Sequence, residues 1–416
     1  MTMLKILHFA DAHIDMAAHG RHDPQTGLPL RVMDFLKSLD TIVDTAVQER
    51  VDLVLFAGDA YKDRSPAPTF QREWGRRIMR LSEAGIRTLL LVGNHDISPA
   101  VGRATALQEY DTLQVPHVRL ISQPRLLKPV DLEELPLQVM ALPWISRSSL
   151  MGMLELSGKA PAAIFGALEA RLSELVDTWM KDVTQSLPLV LAAHASVQGA
   201  VYGGERSVML GGDLVLPLGL VTDARFDYVA LGHIHKAQDV NKDHQPPVVY
   251  PGSIERVDFG EAADDKYFVI AHIEKGQPTR VEWRKLNGRR FIDRFVRIAT
   301  GDHFMQQVLS ALPSQDEMSG AFVRLIIEYP RHLDSHLDET ALRRYADAAL
   351  EFHLVRRPQM EARLRLPNDQ TINSLTPFEL LELYWKTMKI NPKEAETLQK
   401  LAIEILSEDQ QSSEGI

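Results

Sequence analysis

Seven side chains of metal-ligating type, Asp11, His13, Asp59, Asn94, His194, His233 and His235, fall in five short clusters: Asp11-Ala12-His13, Gly58-Asp59, Gly93-Asn94-His95-Asp96, His194, and Gly232-His233-Ile234-His235. Hard divalent ions favour carboxylate, amide and water oxygen, and Mn²⁺, Fe²⁺ and Zn²⁺ also accept imidazole. The set supplies that mixture. Two such ions about 3.5–4 Å apart can activate a water and stabilise both the attacking and the leaving oxygen of a phosphoryl displacement. With only two aspartates in the set, two divalent ions would keep a surplus of positive charge, which suits a phosphate ester. His233 and His235 are two residues apart, so an extended backbone aims both imidazoles to one side. The chain contains no cysteine, which removes thiolate nucleophiles, zinc–thiolate sites, iron–sulfur clusters and disulfides together.

Taken singly, each cluster also has an ordinary structural reading. An aspartate at a strand end is commonly a turn or a cap, and a histidine there is commonly a hydrogen-bonded core residue. The elements that must position the clusters favour chemistry. Apolar, β-type runs at Leu4 to Ala10, Val51 to Ala57, Ile86 to Val92, Leu189 to Ala193, Tyr228 to Leu231 and Tyr267 to Ile273 alternate with helical patterns at Leu30 to Glu49 and about Pro68 to Glu83. Such alternation predicts an α/β sheet covered on its faces. In these folds functional residues gather at the carboxyl ends of the strands, and all five clusters fall at such ends.

Composition bounds the rest. At 416 residues the chain is long enough for two or three domains. No apolar stretch approaches the ~20 residues needed to span a bilayer, and the first residues carry no signal-peptide pattern, so a cytoplasmic location with no membrane association is expected. The net charge of −10 argues against a nonspecific nucleic-acid coat, which would normally be basic. It leaves a nuclease open, since bound ions and a partner supply positive charge locally. Residues 285–365 hold 13 Lys and Arg against 11 Asp and Glu, the one net-positive section of an acidic chain.

Beyond residue 285 the rhythm changes to strand, helix, strand, helix, strand, with Asp338 as a helix cap. This predicts a second, smaller domain over 285–366 after a first domain over 1–280. Thr376-Pro377-Phe378-Glu379 reads as a capped helix start with Pro at the first position. Two amphipathic helices over 374–408, divided near Asn391-Pro392, have the character of a partner-binding arm. Residues 409–416 are polar, as in a disordered tail.

The ordered set D-x-H, GD, GNHD, H, GHxH resembles the calcineurin-like metallophosphoesterase superfamily. His194-Ala195-Ser196-Val197-Gln198-Gly199-Ala200, Tyr250-Pro251-Gly252-Ser253-Ile254-Glu255-Arg256 and Phe259-Gly260-Glu261 are similar to segments of the SbcD DNA double-strand break repair nuclease family. The resemblance implies a four-layer β-sandwich flanked by helices, with a smaller α+β capping domain and C-terminal helices. It further implies that Asp11, His13 and His235 hold one ion, that Asn94, His194 and His233 hold the other, and that Asp59 bridges them. His95 would stabilise or protonate the leaving oxygen, with Asp96 orienting it, as an activated water attacks phosphorus in line.

The implied activity is 3′-to-5′ exonuclease action on double-stranded DNA and endonuclease action on single strands or hairpins in DNA repair and recombination. Mn²⁺ is the preferred ion, with Mg²⁺ the alternative. Implied partners are DNA, an SbcC-type SMC-like ATPase on the C-terminal helices, and a second copy of the chain, giving a nucleoid-associated complex. The homodimer would pair through Thr69 to Leu81 and roughly Ala104 to Leu113; the stripe Trp74-Ile78-Leu81 suits that use, though apolar residues at helical spacing more often belong to the chain's own core. Arg289, Arg290, Arg294, Arg343 and Arg344 are candidate DNA-backbone contacts. Lys62 departs from the family pattern, which commonly has a His or an acidic residue near the second motif. A small-nucleotide phosphodiesterase using the same ions, and a scaffold subunit with little activity, are the competing readings.

Overall fold

The computed structural model of the chain describes residues 3–16, 20–97, 104–145, 161–203, 215–359, 376–387, 390–391 and 394–403. Contacts divide it into two compact units, Met1–Ile292 with Gly320–Phe322, and Asp293–Ser319 with Val323–Ile416. The expected tail over 409–416 lies outside the described residues.

In chain order the strands of the first unit begin with β1 (Leu4–Phe9), β2 (Leu53–Phe56), β3 (Arg87–Leu91), β4 (Val118–Ile121), β5 (Arg125–Leu127), β6 (Gln138–Leu142) and β7 (Leu189–His194). There follow β8 (Ser196–Val197), β9 (Val215–Leu216), β10 (Tyr228–Gly232), β11 (Gln238–Asp239), β12 (Val248–Tyr250), β13 (Lys266–Ile273) and β14 (Arg280–Leu286). Among the described residues they form two six-stranded sheets, in the orders β14-β13-β1-β2-β3-β4 and β11-β12-β10-β7-β6-β5, with β8 and β9 paired separately. β1 to β4 are mutually parallel, as are β12, β10, β7 and β6.

Strand periodicity explains the layering. In β1, Leu4 and Ile6 face the apolar layer between the sheets, where they meet Val190, Ala192 and Ala230. Leu7 and Phe9 point the other way, onto the helices α1 (Leu30–Glu49) and α2 (Pro68–Glu83). The second sheet repeats the pattern: Leu189, Leu191 and Ala193 pack with Leu172, Val176 and Met180 of the helix Pro161–Lys181. Helix, sheet, sheet, helix is the four-layer arrangement expected. α1 forms because Val32, Phe35, Leu36, Leu39, Ile42, Val43 and Ala46 recur at helical spacing and are buried, and it stops where Arg50 turns left-handed at φ 49.

Three expectations need correction. β14 alternates along the β13 edge in antiparallel register, so the first unit runs to Ile292 rather than 280. Trp74, Ile78 and Leu81 are fully buried, with Trp74 against Phe56 and Tyr61 at ring-centroid distances of 4.9 and 6.1 Å. The stripe belongs to the core beneath α2 and is closed to a second copy. Arg289 is engaged inside the first unit: it forms a bidentate pair with Asp34 at 2.5 and 2.6 Å and donates to the Gly320 carbonyl at 2.8 Å.

The second unit carries most of the sheet β15 (Phe291–Arg297), β16 (Phe322–Pro330) and β17 (Glu351–Gln359). Alternate residues of β16, Val323, Leu325, Ile327 and Tyr329, are fully buried. Asp338 caps the helix Glu339–Tyr345 by accepting the Ala341 N–H at 2.9 Å. The capping box at Thr376 also forms: the Thr376 N–H and hydroxyl donate to Glu379 at 2.7 and 2.8 Å, at the start of the helix Pro377–Thr387. Residues 394–403 are helical as well. Among the described residues no helix is long and apolar enough to cross a membrane.

Candidate metal centre

Parallel neighbours put successive strand exits on one edge. Asp11 follows β1, Asp59 follows β2, Asn94 follows β3, His194 ends β7, and His233 follows β10, where Gly232 stands in register with His194. The two sheets thus bring all five clusters together. Asp11 and His13 are fully buried, Asp59, His194 and His233 are at most 2% exposed, and His235 is 7% exposed. Asn94 and His95 are half-buried, so they form the accessible rim.

The turns that reverse the side chains are strained. Asp11, His13, Asp59 and His233 have φ of 52°, 39°, 65° and 103°, a region that costs a non-glycine residue on the order of 1–3 kcal/mol. The strands behind them are anchored in apolar layers where each buried Leu, Val, Ile or Phe contributes about 1.5–3 kcal/mol, which outweighs the strain. The motif glycines permit close approach. A Cβ on Gly58, itself at φ 101°, would lie 2.3 Å from His194 Nδ1, and one on Gly93 would lie 2.2 Å from Asp59 Oδ1 and 2.5 Å from the Asp59 nitrogen. Gly93→Ala is therefore expected to displace Asp59, to lower thermal stability by about 1–3 kcal/mol and to weaken divalent-ion uptake. Unfolding melts with and without Mn²⁺ check both effects.

The donor atoms meet in two groups. His13 Nε2 and His235 Nε2 are 3.1 Å apart, and together with an Asp11 oxygen they fall within 4.8 Å of one another. Asn94 Oδ1 lies 3.0 Å from both His194 Nε2 and His233 Nδ1. Asp59 Oδ2 stands between the groups, 3.8 Å from His13 Nε2 and 3.5 Å from His194 Nε2. Asp11 reaches further than expected, since one of its oxygens also clusters with Asp59 and His194.

Tautomers decide what this arrangement can hold. His13 Nδ1 faces the Tyr61 carbonyl at 3.2 Å, His194 Nδ1 the Ala57 carbonyl at 2.6 Å, and His235 Nδ1 the Glu261 carboxylate at 2.8 Å. Each Nδ1 must therefore donate, and in the neutral ring the inner Nε2 is then a lone pair. Lone pairs of His13 and His235 then oppose each other, and that of His194 opposes the Asn94 and Asp59 oxygens. Such a cradle repels itself unless cations lie within it, and the donor set fits two divalent ions.

The charges agree. Burial works against ionised Asp59, but His194, His13 and His95 outweigh it and hold its carboxyl well below the usual range. Burial alone would lower the His194 pKa, yet Asp59 and then Asp11 push it up to about 9. For His13 burial wins, and its pKa falls well below the ordinary value.

The remaining candidates sit differently from one another. His95 is adjacent, its ring edge-on to His13 at 5.3 Å, and its backbone N–H donates to Asp59 Oδ1 at 2.8 Å. Its ring is oriented by the Lys62 carbonyl, 2.8 Å from Nδ1, rather than by Asp96. The Asp96 carboxylate accepts the N–H groups of Asp59, Ala60 and Gly93 at 2.8, 2.9 and 2.9 Å, tying the second motif to the third. Burial, then the charge on Asp59, pushes its pKa up to about 7 against those donors. At Lys62 it is thus the carbonyl that serves the site.

Two residues of the site escape sequence reasoning. Glu261 lies 26 positions beyond the histidine it contacts, and the family-like segment Phe259-Gly260-Glu261 marked it without giving it a role. Trp144 packs its ring on His233 at 5.0 Å and edge-on to His194 at 6.1 Å. A strand exit at Leu142 followed by Pro143-Trp144 was the available signal for it.

A family model of the calcineurin-like phosphoesterases matches residues 4–237. The chain belongs to this family. As a calcineurin-like phosphoesterase it is 25% identical over 279 residues to the uncharacterized metallophosphoesterase YhaO of Bacillus subtilis, covering 66% of this chain and 59% of that one. It is 25% identical over 289 residues to the SbcD component of the SbcCD nuclease of Escherichia coli, covering 67% of each chain. With the DNA double-strand break repair protein Mre11 of Saccharolobus solfataricus it shares 25% identity over 251 residues, 60% of this chain and 54% of the relative. The match thus spans between one half and two thirds of these curated relatives. A two-metal phosphoesterase is the chemistry that the family and the donor cluster jointly support.

Proposed function

We propose that this phosphoesterase is the nuclease subunit of a DNA end-processing complex, a Mn²⁺-dependent enzyme that shortens double strands 3′ to 5′, cuts single strands or hairpins, and works with an SMC-like ATPase. The observation that carries the reading is the convergence of Asp11, His13, Asp59, Asn94, His194, His233 and His235, inner lone pairs facing one another, beneath a rim at Asn94 and His95. Relatives named as a nuclease component and a break-repair protein support DNA as the substrate.

In this reading Asp11, His13 and His235 would hold one ion, Asn94, His194 and His233 the other, and Asp59 would be shared between them. Two divalent ions would supply charge neutralisation at the phosphodiester and activation of the attacking water. The Asp59 bridge is aimed from two sides: the His95 N–H fixes its carboxylate, and Asp96 fixes its backbone. His95 keeps its Nδ1 proton on the Lys62 carbonyl, so Nε2 is the atom that meets the leaving oxygen. Burial lowers the His95 pKa, while the charge on Asp59 raises it.

Of the candidate DNA-backbone contacts, Arg289 is excluded by its pair with Asp34, and Arg343 is engaged with Glu339 at 2.7 Å. The reading keeps Arg290, Arg294 and Arg344 for their place in the net-positive section alone. The helix Pro377–Thr387 and residues 394–403 are the proposed seat of the ATPase. Homodimer pairing falls to Leu113 and Met79, which are 72% and 36% exposed.

Incubation of the purified chain with Mn²⁺ and either end-labelled duplex DNA or a cyclic nucleotide tests the reading. Progressive shortening of the duplex, abolished by a chelator, is expected. Hydrolysis of the small ester alone would overturn it in favour of a small-nucleotide phosphodiesterase.

A further inference from the structure

Among His13, His194 and His235, two rest their Nδ1 on backbone carbonyls, and only His235 rests on a carboxylate, Glu261 Oε1 at 2.8 Å. That carboxylate is held from several sides. Glu261 is 2% exposed, beside Lys266 at 1%. The Lys266 ammonium donates to Glu261 Oε2 at 2.7 Å, to Ser253 Oγ at 2.7 Å and to the His235 carbonyl at 3.3 Å, so its three protons all have acceptors. Glu261 Oε2 also accepts from the Val257 N–H at 2.9 Å and Ser253 Oγ at 3.3 Å. A buried ion pair is a weak source of stability, because desolvating two charges offsets most of their attraction. Its location, directly behind one imidazole of the cradle, points to the ion in front.

We propose that Glu261, locked by Lys266 and Ser253, is a positioning residue for His235 and makes the two ion positions unequal, the one bounded by Asp11, His13 and His235 being the tighter. The inference rests on the two-metal reading above. A carboxylate on Nδ1–H fixes the ring's tautomer and rotation and raises the basicity of Nε2.

Calorimetric titration of the metal-free chain with Mn²⁺ tests this, using wild type, Glu261→Gln and the double variant Glu261→Gln/Lys266→Met, with thermal melts of each. Two binding steps are expected for wild type. Both variants are expected to weaken the tighter step by on the order of 10–100-fold and to leave the weaker step unchanged. The double variant buries no unpaired charge, so its melt stays near that of wild type. An unchanged tighter step in the double variant, or equal weakening of both steps, overturns the proposal. Two ions bound alike by all three proteins would refute this inference alone, while fewer than two ions on wild type would overturn the two-metal reading as well.

Discussion

His95→Ala is expected to keep both divalent ions and to lose on the order of 10²–10⁴-fold in phosphodiester cleavage, the usual contribution of a positioned general acid or base. The separation follows from geometry. What His95 gives to the cradle is its backbone N–H, which donates to Asp59 at 2.8 Å and survives in alanine. What it gives to substrate is the ring, held by the Lys62 carbonyl at the half-buried rim. Loss of that one hydrogen bond costs about 0.5–1.5 kcal/mol, too little to unfold the protein. Metal content, melting temperature and single-turnover cleavage of duplex DNA, measured on one preparation, check the three parts together. A variant that loses metal would reassign His95 to the cradle.

Asp59→Ala should do the opposite. Removing the carboxylate that lies between both donor groups takes away the proposed shared ligand, and bound metal is expected to fall from two ions per chain to none, with cleavage at background. The fold should persist, because the Asp59 N–H stays bonded to Asp96 at 2.8 Å and the carboxylate's own desolvation cost disappears. Ion binding to the native state alone stabilises it by about 2.7 kcal/mol at a hundredfold excess over Kd. Wild type should therefore melt higher in Mn²⁺, and Asp59→Ala should not respond. Retention of one ion would show that Asp59 serves a single position.

Legibility from sequence follows the range of the interactions. α1 and α2 were readable because helix periodicity is local. The convergence of the candidate donors was readable because parallel strands put their exits on one edge, so Asp11, Asp59 and Asn94 needed no knowledge of sheet order. The sheet order itself was not readable. β10 lies between β12 and β7, and β1 between β13 and β2, pairings that join distant segments and leave no local signal. The same holds for the supports of the site. Asp96 sits beside a ligand in sequence and so suggested an orienter of His95, yet its carboxylate crosses to Asp59 and Ala60. Glu261 and Lys266 serve His235 from the far side of the β12 hairpin. The stripe Trp74-Ile78-Leu81 had two readings, because helical spacing of apolar residues does not say whether the partner is another copy or the chain's own sheet; its burial decides for the core.

The central claim is that two ions share Asp59. Diffraction from Mn²⁺-soaked crystals, collected at the manganese absorption edge, addresses it most directly. The account predicts two anomalous peaks flanking the Asp59 carboxylate, one among Asp11, His13 and His235 and the other among Asn94, His194 and His233. A single peak, or none within reach of Asp59, would contradict it.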